Sequence, residues 1–303
     1  MRGKVCLVTG ATSGIGAATA EELARRGAIT LLVGRDPARC EAAAMGIRSR
    51  TGNRSVDFMV ADLSSRADVR ALARQFMERH NRLDVLVNNA GGIFLRRQLS
   101  VDGIEMTFAL NHLGYFLLTN LLLEPLKASA PTRIINVASC GHAIPRRLEF
   151  DDLQASRGYR GMMAYHRSKL ANLLFTLELA RRLEGTGVTV NALHPGMVQT
   201  HLGENNGWPW RVLKFAFDRA FRVRYVLPTE GARTVVHLAT SPDVEGTSGG
   251  YFAETRPIEP SQAALDLDAA ARLWTISEEL TGLSASDGSH PNLATTATGG
   301  PAA

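Results

Sequence analysis

Thr9-Gly10-Ala11-Thr12-Ser13-Gly14-Ile15-Gly16 is the stretch of sequence that decides the fold. It follows a short apolar run, Val5-Cys6-Leu7-Val8, that predicts a buried strand, and it leads into a helical pattern over residues 16–26. Gly10 allows a tight turn, Gly14 lets the backbone approach a pyrophosphate, and Gly16 allows close packing of helix on strand. Because a helix N-terminus also favours phosphate, this placement predicts a dinucleotide-binding loop rather than a tight turn without a ligand.

Short apolar runs alternate with amphipathic stretches from residue 4 to about residue 195. The expected strands are residues 5–8, 29–33, 56–60, 83–87, 133–137, 188–193 and 250–252. The expected helices are residues 16–26, 37–50, 66–79, 110–127, 164–184, 229–239 and 269–280. Continuous apolar strands separated by helices predict an α/β fold, namely a single Rossmann-type, doubly wound parallel sheet with helices on both faces.

Two segments interrupt this pattern, and the simplest organisation is one domain over residues 1–283. Residues 201–228 are rich in aromatic and basic side chains. They suit a lid over an apolar substrate, a peripheral membrane helix or a subunit contact. Residues 284–303 consist mostly of Ser, Thr, Ala, Gly and Pro, which predicts a disordered tail.

Composition excludes several classes of protein. The 303 residues are 45% hydrophobic and 21% charged, which is typical of a globular chain and not of a disordered or fibrous one. The densest apolar run, residues 115–123, is interrupted by Thr119 and Asn120, so we expect no transmembrane segment. The N-terminus leads directly into the first strand and leaves no room for a signal peptide. Three scattered cysteines argue against a disulfide framework, and we expect a cytoplasmic protein.

The net charge of +5 does not predict a nucleic-acid partner, because the basic residues form no stripe with interleaved aromatics. A weak attraction for an anionic cofactor or a membrane surface stays open. The histidines are also scattered, without the spacing of metal ligands, so we expect no metal site.

The end of the second expected strand, Val33-Gly34-Arg35-Asp36, bears on the choice of cofactor. An NAD-preferring site usually has an acid there for the ribose 2′-hydroxyl. Here Gly34 leaves space, and Arg35 is able to bind a 2′-phosphate through charge-assisted hydrogen bonds. Asp36 precedes Pro37, so it either faces the ribose or caps the next helix. We expect NADP(H) to be favoured over NAD(H).

Tyr165 and Lys169 are four residues apart in an expected helix, so both side chains lie on one face. A free tyrosine has a pKa near ~10, and a neighbouring ammonium favours the phenolate, so we expect Lys169 to lower that pKa. Ser139 follows a buried strand, at the sheet edge where α/β folds bind ligands, and suits a hydrogen bond to a substrate oxygen. By the same argument Asn88-Asn89-Ala90-Gly91 suits the cofactor ribose, and Asp62 suits the adenine.

These residues together carry a family resemblance. The motifs Thr9-Gly10-xxx-Gly14-x-Gly16, Asn88-Asn89-Ala90-Gly91, Asn111, Ser139, Tyr165-xx-Ser168-Lys169 and Pro195-Gly196 resemble those of short-chain dehydrogenases/reductases. The resemblance covers roughly residues 3–283. Within that family, residues 111–119, 168–172 and 190–196 are similar to the retinol dehydrogenase-like branch, which implies NADP(H) and lipophilic alcohols or carbonyls.

The resemblance implies a role for each site residue. Tyr165 would be the general acid/base, Lys169 would lower its pKa and hold the nicotinamide ribose, and Ser139 would orient the substrate oxygen. Asn111 would anchor a water that leads protons to Lys169. The implied cofactor contacts are Gly10, Thr12, Ser13, Gly14, Ile15, Gly16, Arg35, Asp62, Leu63, Asn89, Ala90, Gly91, Tyr165, Lys169, Pro195, Gly196, Val198 and Thr200.

The expected function is therefore NADP(H)-dependent oxidoreduction that interconverts an alcohol and a carbonyl on a lipophilic small molecule by hydride transfer. One alternative is a catalytically silent, dinucleotide-binding regulator. Another is a dehydratase or epimerase with the same fold. The resemblance also implies a homo-oligomer, a dimer or tetramer, with subunits paired through residues 164–184.

Overall fold

The computed structural model describes residues 1–199, 202–208, 210, 219 and 225–283. Its centre is an eight-stranded sheet in the order β3-β2-β1-β4-β5-β6-β7-β8. The strands are β1 (Val5–Thr9), β2 (Ile29–Gly34), β3 (Val56–Val60), β4 (Val85–Asn88), β5 (Thr132–Val137), β6 (Val188–Leu193), β7 (Tyr251–Ala253) and β8 (Arg256–Pro257). All neighbouring strands are parallel except the pair β7–β8. The order reverses beside β1, which confirms the doubly wound sheet predicted from the sequence.

Helices cover both faces of the sheet. They are α1 (Gly14–Arg25), α2 (Pro37–Thr51), α3 (Arg66–Arg79), α4 (Met106–Phe108), α5 (Gly114–Leu121), α6 (Leu123–Ala128), α7 (Gly161–Arg182), α8 (Pro228–Thr240) and α9 (Leu267–Thr281). Apolar residues of α1, α2 and α8 form one core layer with the strands, and those of α3, α5 and α7 form the other. Among the described residues, no helix is long and apolar enough to span a bilayer.

The helix expected over residues 110–127 is instead divided into shorter pieces. Between α4 and α5 the chain forms a π-helical turn, Ala109–Leu113, and a second break falls at Leu122 between α5 and α6. Pro125 explains the second break, because it has no N–H to donate to the carbonyl of Leu121. A π-turn adds a residue without changing the apolar character of the segment, so a period of 3.6 residues does not reveal it.

The sheet also differs from the all-parallel expectation at its far edge. β8 is antiparallel to β7 and follows it through a tight turn at Glu254 and Thr255, both of which have positive φ. Both residues of β8 are exposed, so the strand has no apolar pattern by which to be recognised.

Helix α7 is largely covered by the rest of the described chain. From Ala164 to Ala180 every residue is buried or half-buried. Helix α9 covers it, with the Trp274 ring centre 4.9 Å from that of Phe116 and 6.0 Å from that of Phe175. Subunit pairing through residues 164–184, as the resemblance implies, stays a prediction.

Two predicted features fall wholly or partly outside the described residues. The expected tail over residues 284–303 lies outside them. The predicted insertion over residues 201–228 is described only at residues 202–208, 210, 219 and 225–228.

Candidate active site

The glycine-rich loop connects β1 to α1, and its shape depends on two glycines. Gly10 has φ +64°, a conformation that other residues rarely adopt. A Cβ on Gly16 would lie 2.3 Å from the carbonyl oxygen of Gly10, a backbone atom that has no room to move. The side chain of Ser13, the N-cap residue of α1, makes no capping hydrogen bond. The first N–H groups of α1 are therefore left without a side-chain cap, as a phosphate site requires.

The segment after β4 holds this loop in place. The Thr9 hydroxyl donates to the Val87 carbonyl at 3.1 Å and accepts from the N–H groups of Asn89 at 2.8 Å and Ala90 at 3.1 Å. The Asn89 amide Nδ2 donates to the Thr9 carbonyl at 2.8 Å. The predicted ribose contacts Asn89 and Ala90 thus lie directly against the glycine-rich loop, and Gly91 follows them. The bridging role of Thr9 was missed, although its place at the end of a buried strand is a usable signal.

The structure resolves the two alternatives for Asp36. Its carboxylate accepts the N–H of Arg39 at 3.1 Å, so Asp36 caps α2. Arg35 is exposed and forms no ion pair with any described residue. A Cβ on Gly34 would lie 2.7 Å from Thr12 Cγ2, so Thr12 packs against the end of β2. Arg35 and the glycine-rich loop therefore lie close together at the same edge of the sheet.

Asp62 and Leu63 follow β3 at this edge as well. One carboxylate oxygen of Asp62 accepts the Ser64 N–H at 2.9 Å and the Ser64 hydroxyl at 2.7 Å, which fixes the turn. Leu63 is buried, and a Cβ on Gly114 would lie 2.6 Å from the Leu63 carbonyl oxygen. The contact of Asp62 with adenine and the contact of Leu63 with the cofactor stay predictions.

Tyr165, Lys169 and Ser139 come together where α7 meets the end of β5. Both Tyr165 and Lys169 are buried, and Lys169 Nζ lies 5.8 Å from the centre of the Tyr165 ring. Nζ donates a hydrogen bond to the Val137 carbonyl at 2.9 Å. Ser139, two residues further along, lies near enough to Tyr165 for its side chain to lower the pKa of the phenol. The structure thus joins three residues that the sequence separates by up to thirty positions.

The pKa of Tyr165 is raised to about 12, and not lowered as we expected from Lys169. Burial of the phenol is the largest cause, and the nearby Ser139 side chain lowers the pKa by a smaller amount. Burial also lowers the pKa of Lys169 to about 7. Desolvation is therefore the largest influence on the pKa of each group.

Tyr115 is a further neighbour of Lys169 that the sequence analysis did not assign to the site. Lys169 Nζ lies 5.6 Å from the centre of its ring. The Tyr115 hydroxyl is buried and has no hydrogen-bond partner among the described residues. Its position four residues after Asn111 places it one helical turn further on, which is the signal that would have found it.

Asn111 lies in the π-helical turn and is completely buried. Its Oδ1 accepts the Gly92 N–H at 2.8 Å, and its Nδ2 donates to the Gly92 carbonyl at 3.0 Å and the Ser168 hydroxyl at 2.9 Å. The Ser168 hydroxyl in turn donates to the Tyr165 carbonyl at 2.7 Å. Through these hydrogen bonds, Asn111 connects the loop after β4 to the turn of α7 that carries Tyr165. Its predicted role in anchoring a water stays a prediction.

The turn after β6 reaches the glycine-rich loop from the other side. Gly196, after Pro195, has φ +79°, and its N–H donates to His194 Nδ1 at 3.2 Å. A Cβ on Gly231 in α8 would lie 2.6 Å from Val198 Cγ2 and 3.3 Å from Ile15 Cγ1. Val198 and Ile15, both predicted cofactor contacts, therefore pack on the same glycine. Thr200 lies outside the described residues.

Similarity to known proteins shows the family of the chain. A family model described as short chain dehydrogenase matches residues 4–208. The chain is 46% identical to retinol dehydrogenase 14 of Homo sapiens over 296 residues, which cover 93% of this chain and 88% of that protein.

Within the part of the chain that the structure describes, no three His, Cys, Asp or Glu residues are grouped as metal ligands.

Solved structures are similar across most of the chain. A crystal structure of an uncharacterised protein from Mycobacterium paratuberculosis matches with a TM-score of 0.73 and 35% identity, covering 93% of this chain and 94% of that one. The active-site complex of RhlG with NADP from Pseudomonas aeruginosa matches with a TM-score of 0.66 and 28% identity, covering 83% and 94%.

Proposed function

The chain belongs to the short-chain dehydrogenase family, and on that premise we propose that it is an NADP(H)-dependent oxidoreductase for a lipophilic alcohol or carbonyl. The observation that carries the proposal is that the buried phenol of Tyr165 lies beside the buried Lys169, with the Ser139 side chain near enough to lower the pKa of that phenol. Two adjacent hydroxyls at the carboxyl edge of a parallel sheet suit a substrate oxygen, which would accept a hydrogen bond from each.

The residues present fit a nicotinamide dinucleotide, which when bound supplies or accepts a hydride. Gly10 and Gly16 let the loop pack tightly against itself and against the segment after β4, and the uncapped start of α1 offers N–H groups to the pyrophosphate. Arg35, free of any ion pair with described residues, would hold the 2′-phosphate of NADP. The other residues that would hold the cofactor are Thr12, Ser13, Gly14, Ile15, Asp62, Leu63, Asn89, Ala90, Gly91, Lys169, Pro195, Gly196, Val198 and Thr200.

Tyr165 is the proton donor in the reductive direction. A pKa of about 12 keeps the phenol protonated at neutral pH, so it holds the proton that the substrate oxygen needs. As the carbonyl carbon gains a hydride, the phenol O–H bond breaks and the proton passes to the carbonyl oxygen. The resulting phenolate is stabilised by the Lys169 ammonium and the Ser139 hydroxyl. The oxidative direction reverses each of these steps.

The preference for a lipophilic substrate is supported by apolar side chains exposed on the segments that carry the site. Ile144 follows the Ser139 loop and is 55% exposed, and Met197 in the turn after β6 is 43% exposed. Met162, three residues before Tyr165, and Trp208 are exposed as well. An apolar rim favours an apolar substrate body, and the names of the curated relatives point to retinol.

Turnover measured with the purified chain tests this proposal. NADPH oxidation is followed with a panel of lipophilic aldehydes and ketones that includes retinaldehyde. Tyr165→Phe, which keeps the ring and removes the hydroxyl, is the matched variant. We expect wild-type turnover and a loss on the order of 100-fold or more in the variant. NADPH binding without turnover would favour a silent regulator, and product formed without net NADPH oxidation would favour a dehydratase or epimerase.

The proposal also covers the compartment and the assembly of the protein. The three cysteines are free thiols, which suits the reducing cytoplasm that we propose as the compartment. We also propose a homo-oligomer, a dimer or tetramer, with subunits paired through residues 164–184. For residues 201–228 the three roles expected from the sequence stay open: a lid over the substrate, a peripheral membrane helix or a subunit contact.

A further inference from the structure

His142 links the loop that carries Ser139 to a distant part of the chain. It lies in the short 3₁₀ turn Cys140–Ala143 and is only 4% exposed. Its Nδ1 is 2.8 Å from the Ser139 carbonyl oxygen, and its Nε2 is 3.1 Å from the backbone N of Ser261. An N–H group only donates, so Nε2 must hold the lone pair and Nδ1 the proton. The histidine therefore donates to Ser139 and accepts from Ser261.

Tyr251 on β7 holds the same carbonyl from another direction. Its hydroxyl lies 3.4 Å from the Ser139 carbonyl oxygen and 3.2 Å from His142 Nδ1. The two rings meet edge to face, with their centres 4.9 Å apart. Both Tyr251 and Ser261 lie beyond the residues 4–208 that the family model matches.

We propose that His142 is a positioning residue that fixes Ser139 by tying its loop to the C-terminal segment, which we define as residues 258–264. The inference rests on the proposed function. Ser139 Oγ already accepts the Gly141 N–H at 3.1 Å, so the direction of its hydroxyl depends on where this loop lies. A catalytic hydroxyl must be held within a fraction of an ångström, and the loop reaches that precision through its anchor at Ser261.

A second histidine makes a comparable link to α9. His112 follows Asn111, and its Nε2 lies 2.9 Å from the Ser277 hydroxyl. That hydroxyl donates to the Leu273 carbonyl at 2.7 Å, so it accepts from His112. The segments that bear Asn111 and Ser139 are thus each connected to the last part of the described chain through one buried histidine.

Ser261 offers a matched pair of variants. Its φ of −63° is that of proline, so Ser261→Pro keeps the local backbone but removes the N–H and places ring atoms against His142. Ser261→Ala keeps the N–H, and it removes a hydroxyl that has no hydrogen-bond partner among the described residues. We expect Ser261→Pro to lower kcat by on the order of 10- to 100-fold with unchanged NADPH affinity. Ser261→Ala should match the wild type in both.

His142→Asn breaks the link from the other side. Its amide N–H still reaches the Ser139 carbonyl, but the side chain is too short for Ser261. We expect a similar fall in kcat, and a double variant no worse than either single one, because both remove the same connection. Wild-type kcat in folded Ser261→Pro and His142→Asn would overturn the proposal. If Ser261→Pro does not fold, His142→Asn alone decides between the same two outcomes.

The link between His142 and Ser261 can also be tested without an activity assay, by NMR of the ring nitrogens in protein that carries nitrogen-labelled histidine. The proposal requires His142 to be protonated on Nδ1, with an unprotonated Nε2 whose resonance shifts in Ser261→Pro but not in Ser261→Ala. A proton on Nε2 would overturn it. Absence of turnover in the wild type would count against the proposed function alone, and the NMR result would still decide the link.

Discussion

Lys169 Nζ lies 5.8 Å from the centre of the Tyr165 ring, and both side chains are buried behind the end of β5. Burial moves their pKa values in opposite directions, to about 12 for Tyr165 and about 7 for Lys169. Each shift favours the neutral form, so the free protein keeps a protonated phenol beside an amine that titrates near neutral pH. Charge on one group favours charge on the other, which couples the two during proton transfer.

The low pKa of Lys169 predicts a pH-dependent stability. Its value of about 7 lies below the 10.5 of a free lysine, so the unfolded chain binds more protons between these values and stability rises with pH there. Below pH 7 the buried charge carries its full penalty. We expect Lys169→Met to be more stable than the wild type at pH 6, by on the order of 2–5 kcal/mol, with the difference shrinking toward pH 10.

Urea unfolding at several pH values measures this difference. Lys127→Met is the control, because Lys127 is well exposed and its replacement should show no trend with pH. A difference between Lys169→Met and the wild type that is the same at every pH would contradict the penalty on the buried charge.

The exposed position of Arg35 predicts a preference for NADPH over NADH. Because it is exposed and unpaired among the described residues, it is available to a 2′-phosphate. Arg35→Glu should weaken NADPH binding by on the order of 10- to 100-fold and leave NADH binding no weaker, since only NADPH carries that phosphate. Quenching of tryptophan fluorescence gives both affinities. Arg54→Glu makes the same charge change at another exposed position and should alter neither. An unchanged preference in Arg35→Glu would show that another group selects the cofactor.

The packing of Trp274 predicts that the contact between α9 and α7 contributes to the free energy of unfolding. Its ring packs on Phe116 and Phe175, and the Arg182 guanidinium lies 4.1 Å from its centre. Trp274→Ala should lower the free energy of unfolding by about 3–5 kcal/mol, because it leaves a cavity between the two helices. Thr275→Ala, at the exposed position next to it, should change that free energy by less than about 0.5 kcal/mol. Equal effects of the two variants would mean that α9 does not stabilise α7.

The sequence was sufficient for the parts of the fold that depend on local pattern. Buried parallel strands are continuous apolar runs, which a sequence shows directly. The loop after β1 has glycine at positions 10 and 16, where a Cβ would clash with neighbouring atoms, and the glycines themselves mark those positions in the sequence. Capping of α2 by Asp36 was one of two alternatives, and only the structure chose between them. The π-helical turn around Asn111 left no trace in the apolar pattern.

The site was harder to predict where it depends on burial and on distant contacts. The raised pKa of Tyr165 follows from desolvation, which residue spacing does not report. His112 and His142 looked scattered in the sequence because their partners Ser277 and Ser261 lie 165 and 119 residues away. Spacing therefore pointed to the predicted reacting groups but not to the histidines that connect their segments to the end of the described chain.

Transfer of deuterium from labelled NADPH to the product tests the central claim most directly. The wild type is incubated with a lipophilic aldehyde and NADPH deuterated at the transferable position of the nicotinamide ring, and the alcohol is analysed by mass spectrometry. We predict one deuterium on the new carbinol carbon, with product formation lost in Tyr165→Phe. A product without deuterium, or equal labelling in wild type and Tyr165→Phe, would contradict hydride transfer assisted by Tyr165.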